Sequence, residues 1–166
     1  MRAASRGEVS RAAGDARRAL ARMARPAGEF DASRYFRGAG NLGFYNVGTA
    51  QMRALARSIH AAHCDDWTID AAMAFADALI VDRYLEVKSV GIEVVARYRR
   101  AFVPRLLPRW KRWLAQNHSA NWATTDAICG LLIGPLLVAH PALAARMPSW
   151  ARDRSSPSSR PAAIPS

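Results

Sequence analysis

An all-α fold, built as an open helical repeat (an α–α superhelix), is predicted by three features of this 166-residue chain. Apolar residues recur at three- and four-residue spacing in one segment after another. Strand signals are scarce, with no alternating Val/Ile/Thr runs and no Asn-Gly or Asp-Gly hairpin turn. The helical segments come in pairs joined by short turns, each pair taking a few tens of residues, a rhythm that suits stacked repeats better than a closed bundle.

Each element has its own signal. The Arg- and Ala-rich start, MRAASRGEVSRAAGDARRALARMARP, reads as an amphipathic first helix with Leu20 and Met23 among its few apolar contacts. Four glycines and two asparagines between Tyr35 and Gly48 mark a loop or linker. Thr49 is placed to cap a helix in which Met52, Leu55, Ala56 and Ile59 share a face, and Thr68 to cap the next, with Ala72, Phe75, Ala76 and Leu79 inward. A third runs from about Tyr84 to Phe102, its stripe formed by Val87, Val90, Gly91, Val94, Val95 and Tyr98. Pro104 opens a helix carrying Leu106, Leu107, Trp110 and Trp113. Ser119 is placed to cap a long helix through Ile128, Leu132 and Leu136, after which Pro141 starts a short one.

The stretch from Ala127 to Ala145 has no formal charge, but Pro135, His140 and Pro141 interrupt it. Its unbroken apolar part is short of the roughly 20 residues a membrane span needs. A buried helix bent at Pro135 is expected, with no membrane as partner. From Ser155 the chain reads SSPSSRPAAIPS, too rich in serine and proline for a packed helix, and a disordered tail is expected there. The organisation is thus 1–48, an N-terminal helix and Gly-rich connecting loop; 49–154, helical repeats of HEAT-like type; and 155–166, the Ser/Pro-rich tail. The repeat array lacks a polar closing repeat, so it is incomplete, and an exposed apolar surface is expected along the helix from Ser119 to Ala139.

With 24 Lys and Arg against 13 Asp and Glu, the net charge is +11, which favours polyanionic partners: nucleic acid or an acidic membrane surface. Cys64 and Cys129 stand apart and outside any CxxC pair, as reduced thiols of a cytosolic protein do. The start has no apolar signal-peptide core, and Glu8 and Asp15 oppose an organellar presequence, so a cytoplasmic location is expected.

Between Glu93 and Asp126 there is no acid. That window holds Arg97, Arg99, Arg100, Arg105, Arg109, Lys111 and Arg112 interleaved with Tyr98, Trp110, Trp113 and Trp122. Such side chains can neutralise phosphates and stack on bases or sugars; they read equally as a solvated cationic face with tryptophans in the core. Trp122 and Asp126, four apart, share a helix face. A carboxylate beside an aromatic wall can stabilise positive charge developing on a sugar, and the same pair also reads as a helix-start acid next to a core tryptophan. His60, His63, Cys64, Asp65 and Asp66 are ligand-type residues at a helix end, without a second ligand pair to complete a zinc pattern. The glycines at 35–48 do not follow a strand as a phosphate-cradling loop requires, and there is no nucleophile elbow or Ser-His-Asp order.

RYFRGAGNLGFYNVGT, LEVKSVGIEVVARYRR and, most specifically, NHSANWATTDAICGLLIGPLLVAHPAL resemble the AlkD-like DNA alkylation repair family over about Ser33 to Arg154. The resemblance implies a HEAT-like fold and hydrolysis of the N-glycosidic bond of cationic alkylated purines in duplex DNA. It implies Asp126 as the catalytic carboxylate, Trp122 packed against the lesion's deoxyribose, and no metal, organic cofactor or obligate protein partner. Family members act without flipping the base into a deep pocket. Arg160 falls at the place of a family arginine that contacts the DNA backbone, whereas Pro157 and Pro161 oppose the helix that carries it. Arg97, Arg100, Arg105, Arg109, Lys111 and Arg112 are the candidates for phosphate contact. The family's later repeats have no counterpart, so the alternative is a catalytically inactive DNA-binding remnant or interaction module.

Overall fold

The computed structural model describes residues 4–28, 41–118 and 121–147. Helix α1 (Arg6–Met23) begins at a capping box: Ser5 Oγ accepts from the Glu8 amide, and the Glu8 carboxylate accepts from the Ser5 amide at 2.6 Å. Helices α2 (Thr49–His63), α3 (Ile69–Ile80), α4 (Leu85–Ala96) and α5 (Leu107–Ala115) follow. A last helical run comprises α6 (Trp122–Ala127), a π-helical stretch (Ile128–Ile133) and α7 (Gly134–Ala139). No strand forms among the described residues; one isolated bridge pairs Gly43 with Tyr84. The fold is an all-α helical repeat, as the periodicity predicts.

Several boundaries differ from those the sequence suggests. Gly48, not Thr49, is the N-cap of α2, and its amide donates to the Gln51 side chain at 3.3 Å. Thr68 caps α3 as expected, accepting from the Ala71 amide. Helix α4 stops at Ala96, well short of Phe102; the chain then turns through a 3-10 segment (Arg99–Ala101), and Val103 is extended, the conformation a following proline favours. Asn121 caps α6, its side chain accepting from the Thr124 amide at 2.8 Å; Ser119 lies outside the described residues.

The run from Trp122 to Ala139 is long and apolar enough, by length and composition alone, to cross a membrane. It is buried along one side only, and apolar residues stand exposed on the other, as expected from the sequence. Ile128, Leu132, Ile133 and Leu136 are buried as one stripe packed towards α4 and α5, while Trp122 (58 % exposed) and Val138 (83 % exposed) face outward. The disturbance at Pro135 takes the form of the π-helical stretch just before it. Proline has no amide proton and its ring crowds the carbonyl four residues back, so the helix widens there and the Gly134 amide bonds to the Cys129 carbonyl, five residues earlier.

Helix α4 is the hub of the core, packed against α1, α2, α3, α6 and the π-helical stretch. Its Val87, Val90, Ile92, Val94 and Val95 are buried, and at Gly91 an added Cβ would lie 3.2 Å from that of Leu79, so glycine here lets α3 and α4 approach closely. Helix α1 joins the same core through Val9, Ala12, Ala13, Ala16 and Leu20, with Met23 half-buried, and Arg17 bonds Asp82 at 2.7 Å beyond the end of α3. Trp110 and Trp113 are core residues, donating to Met73 Sδ and to the Asp77 carboxylate. They settle the interleaved tryptophans of α5 as packing.

Two charged residues of α4 are buried. Glu86 is 3 % exposed, and its Oε1 accepts from the amides of Tyr45 (3.0 Å) and Val47 (3.3 Å). Lys88 is 4 % exposed, and its Nζ donates to the carbonyls of Ile80 (2.6 Å) and His118 (2.8 Å). Residues two apart point to different sides of a helix, so each charge serves a different neighbour. Glu86 fastens the segment before α2, which also bridges to Tyr84 through Gly43, where any Cβ would strike the Tyr84 ring at 2.9 Å. Lys88 fastens the end of α3 to the turn that precedes α6.

Glu86→Ala leaves two amides without their acceptor, at about 1–3 kcal/mol each. Its urea midpoint should fall clearly, and Glu86→Gln, which keeps a carbonyl oxygen there, should lose less; equal losses would contradict the acceptor role. Burial, and then the Lys88 ammonium, hold the His118 imidazole below its ordinary 6.5. The unfolded chain therefore binds more protons in the window beneath 6.5, and stability rises with pH through it. Urea midpoints should drop on acidification through that window, and His118→Gln should flatten the drop; a midpoint that climbs on acidification there contradicts this.

Candidate DNA interface

A groove of about 760 Å³ lies between the segment that leads into α2, helix α4 and helix α6. Asn46, Val47, Gly48, Thr49, Met52 and Arg53 form one wall. Leu85, Glu86, Ser89 and Glu93 of α4 form the floor, and Trp122, Ala123, Asp126, Ala127, Gly130 and Leu131 the other wall. Asn46 takes a left-handed conformation (φ 56°), which asparagine tolerates better than most residues, and its side-chain amide donates to the Arg25 carbonyl at 3.2 Å.

Trp122 and Asp126 are therefore brought together on one wall, both exposed, with the indole in the groove and not in the core. Across from them Arg53 pairs with Glu93 at 3.0 Å, and Arg97 reaches the same carboxylate at 3.9 Å and the Arg53 carbonyl at 3.5 Å. The described lining residues include three carboxylates (Glu86, itself buried, Glu93 and Asp126) against the guanidinium of Arg53, and with Arg97 behind Glu93 the carboxylates still outnumber the guanidiniums by one. In a chain of net charge +11 this is a local reversal of sign, suited to a cation at the groove floor. Burial, and next the Asp126 carboxylate, push the Cys129 thiol up, so it stays protonated and a poor nucleophile.

The basic residues picked out by the acid-free window are spread over the molecule. Arg97 backs the groove as described. Arg105 makes a bidentate pair with Asp70 of α3 (2.7 and 2.9 Å), and Arg109 pairs with Asp77 of the same helix. That pairing turns both away from the groove. Arg100 and Arg112 are exposed and Lys111 is half-buried, and none of the three lines the groove. The Arg105 pair is more than half exposed on both sides, a setting in which ion pairs contribute little and a phosphate can compete. Arg160 lies outside the described residues.

Of the ligand-type residues after α2, His63 stacks on Trp67 at 4.3 Å and His60 meets Tyr98 edge-on at 4.9 Å. Among the described residues no three His, Cys, Asp or Glu side chains are grouped to hold a metal ion. Arg53, Glu86 and Glu93 are groove residues that sequence reasoning missed. The available signal was spacing: Glu86, Val90, Glu93 and Arg97 recur at three- and four-residue steps along one side of α4 and its C-cap, carboxylates set among the valines of that helix.

Comparison with curated proteins and with solved structures finds no match. A family model described as DNA alkylation repair enzyme matches residues 16–164, nearly the whole chain and all of the groove. The chain belongs to the DNA alkylation repair enzyme family.

Proposed function

We propose that this protein hydrolyses the N-glycosidic bond of cationic alkylated purines in duplex DNA, with the lesion's sugar seated in the groove of Trp122 and Asp126. Membership of the repair family supports alkylated DNA as substrate. One observation carries the finer reading: an exposed indole and a carboxylate share a groove whose lining is acidic on a strongly basic protein.

The chemistry follows from that electrostatic pattern. An alkylated purine with a formal positive charge is already a good leaving group. When the C1′–N bond breaks, the electron pair returns to the base and neutralises it, while positive charge moves to the sugar. A fixed carboxylate near C1′ is worth more in that transition state than in the ground state. Asp126 fills this role and also orients the water that adds to C1′, whose proton passes to the Asp126 carboxylate and from there to solvent. Trp122 packs its ring on the deoxyribose, and Arg53 and Glu93 close the facing wall. The groove's exposed Trp122 and Asp126 suit a base that stays near the stack, and a HEAT-like repeat would let the protein follow the duplex on either side.

Release of 7-methylguanine from an alkylated duplex, timed under single-turnover conditions, tests this. Asp126→Asn should slow release by about a hundredfold or more while duplex binding is kept. Trp122→Ala should weaken binding of the lesion duplex more than that of an unmodified one. If the wild-type chain releases no base at any enzyme concentration yet binds DNA in a salt-sensitive way, the inactive-remnant reading replaces this one.

A further inference from the structure

We propose that Arg53 is a phosphate anchor of the lesion-bearing strand, released to the DNA by a carboxylate that it shares with Arg97. The inference rests on the preceding reading of the groove as a DNA site and adds the residue that holds the backbone there.

An acidic groove floor repels phosphates, so a strand can lie over it only if a cation at the rim compensates. Arg53 is the guanidinium among the described lining residues, on the wall opposite Trp122 and Asp126. Its side chain is 57 % exposed, so the planar fork can turn outward and meet a phosphate with two parallel hydrogen bonds.

The pairing with Glu93 does not prevent this. Leaving a half-buried carboxylate without its cation is normally costly, and Glu93 is only 18 % exposed. Here Arg97, itself 25 % exposed, contacts the other oxygen of the same carboxylate at 3.9 Å. When Arg53 turns to a phosphate, Arg97 stays and Glu93 remains compensated. Arg97 also donates to the Arg53 carbonyl at 3.5 Å, holding the α2 backbone in place as the side chain moves. One carboxylate between two guanidiniums thus leaves one positive charge for the DNA.

The test is the salt dependence of binding of the full chain to a labelled duplex with one 7-methylguanine, followed by fluorescence anisotropy. Losing one phosphate contact should lower the slope of log Kd against log salt by about 0.9 for Arg53→Gln, with an unchanged melting temperature. Arg53→Lys, which keeps the charge, should retain the slope. Arg18→Gln, the same charge loss on the outer face of α1 where Arg18 pairs with Asp15, should also retain it. A wild-type slope in Arg53→Gln overturns the proposal, as does an equal drop in Arg18→Gln, which would reveal a general charge effect. If the wild-type chain shows no salt-dependent binding, the reading of the groove as a DNA site fails first and the anchor with it.

Discussion

Two buried charges on one helix set the geometry of everything around the groove. Glu86 and Lys88 bring a carboxyl and an amine into the core of α4, and among the described residues their hydrogen bonds go to backbone groups: Glu86 Oε1 accepts from two amides while its Oε2 has no partner, and Lys88 Nζ donates to two carbonyls. A buried charge costs several kcal/mol unless its hydrogen bonds are satisfied. That cost makes the arrangement specific, because only one placement of the neighbouring chain supplies the amides to Glu86 and the carbonyls to Lys88. The amides belong to the segment that forms one wall. The carbonyls belong to the end of α3 and to the turn ahead of α6, which forms the other. An apolar hub would tolerate sliding of both walls; a charged one fixes their separation.

The second consequence is electrostatic. The excess of arginine spreads over the whole surface, and much of it is engaged locally: Arg17 with Asp82, Arg105 with Asp70, Arg109 with Asp77. The net charge of +11 favours a polyanion at long range, whereas on the proposed reading the groove lining favours a cation at contact distance. A duplex with a positively charged base meets both requirements at once. Neither field alone would: a uniformly basic groove would favour phosphate over lesion, and a uniformly acidic protein would not approach DNA.

The fold was legible because helical periodicity is a dense signal. Val87, Val90, Val94 and Val95 announce the buried face of α4, and Thr68 announces the start of α3, from spacing and cap chemistry alone. Boundaries were harder, since Thr49 and Gly48 compete for the same cap and the chain leaves α4 at Ala96 for a 3-10 turn that the apolar spacing through Tyr98 does not reveal. At the site, Trp122 and Asp126 could be paired from their spacing and from the family likeness. Their partners could not. Arg53 lies on α2 and meets Glu93 across the sequence by tertiary packing, which no local pattern encodes, while a run of arginines that looks continuous in the chain is divided among several faces by the helical turn. Charge density along the sequence therefore pointed at the stretch from Pro104 to Ala115, and the structure turns Arg105, just ahead of α5, and Arg109, on it, towards α3.

The decisive measurement is an NMR titration of the indole N–H resonances with the 7-methylguanine duplex. Trp122 is exposed on the groove wall, whereas Trp113 is buried on α5, bonded at 2.7 Å to the carboxylate that also pairs with Arg109. The Trp122 resonance should shift as the duplex is added while that of Trp113 stays in place. Movement of Trp113 with a stationary Trp122 would put the DNA on the arginine-bearing face of α3 and α5 and contradict the groove as the site of binding.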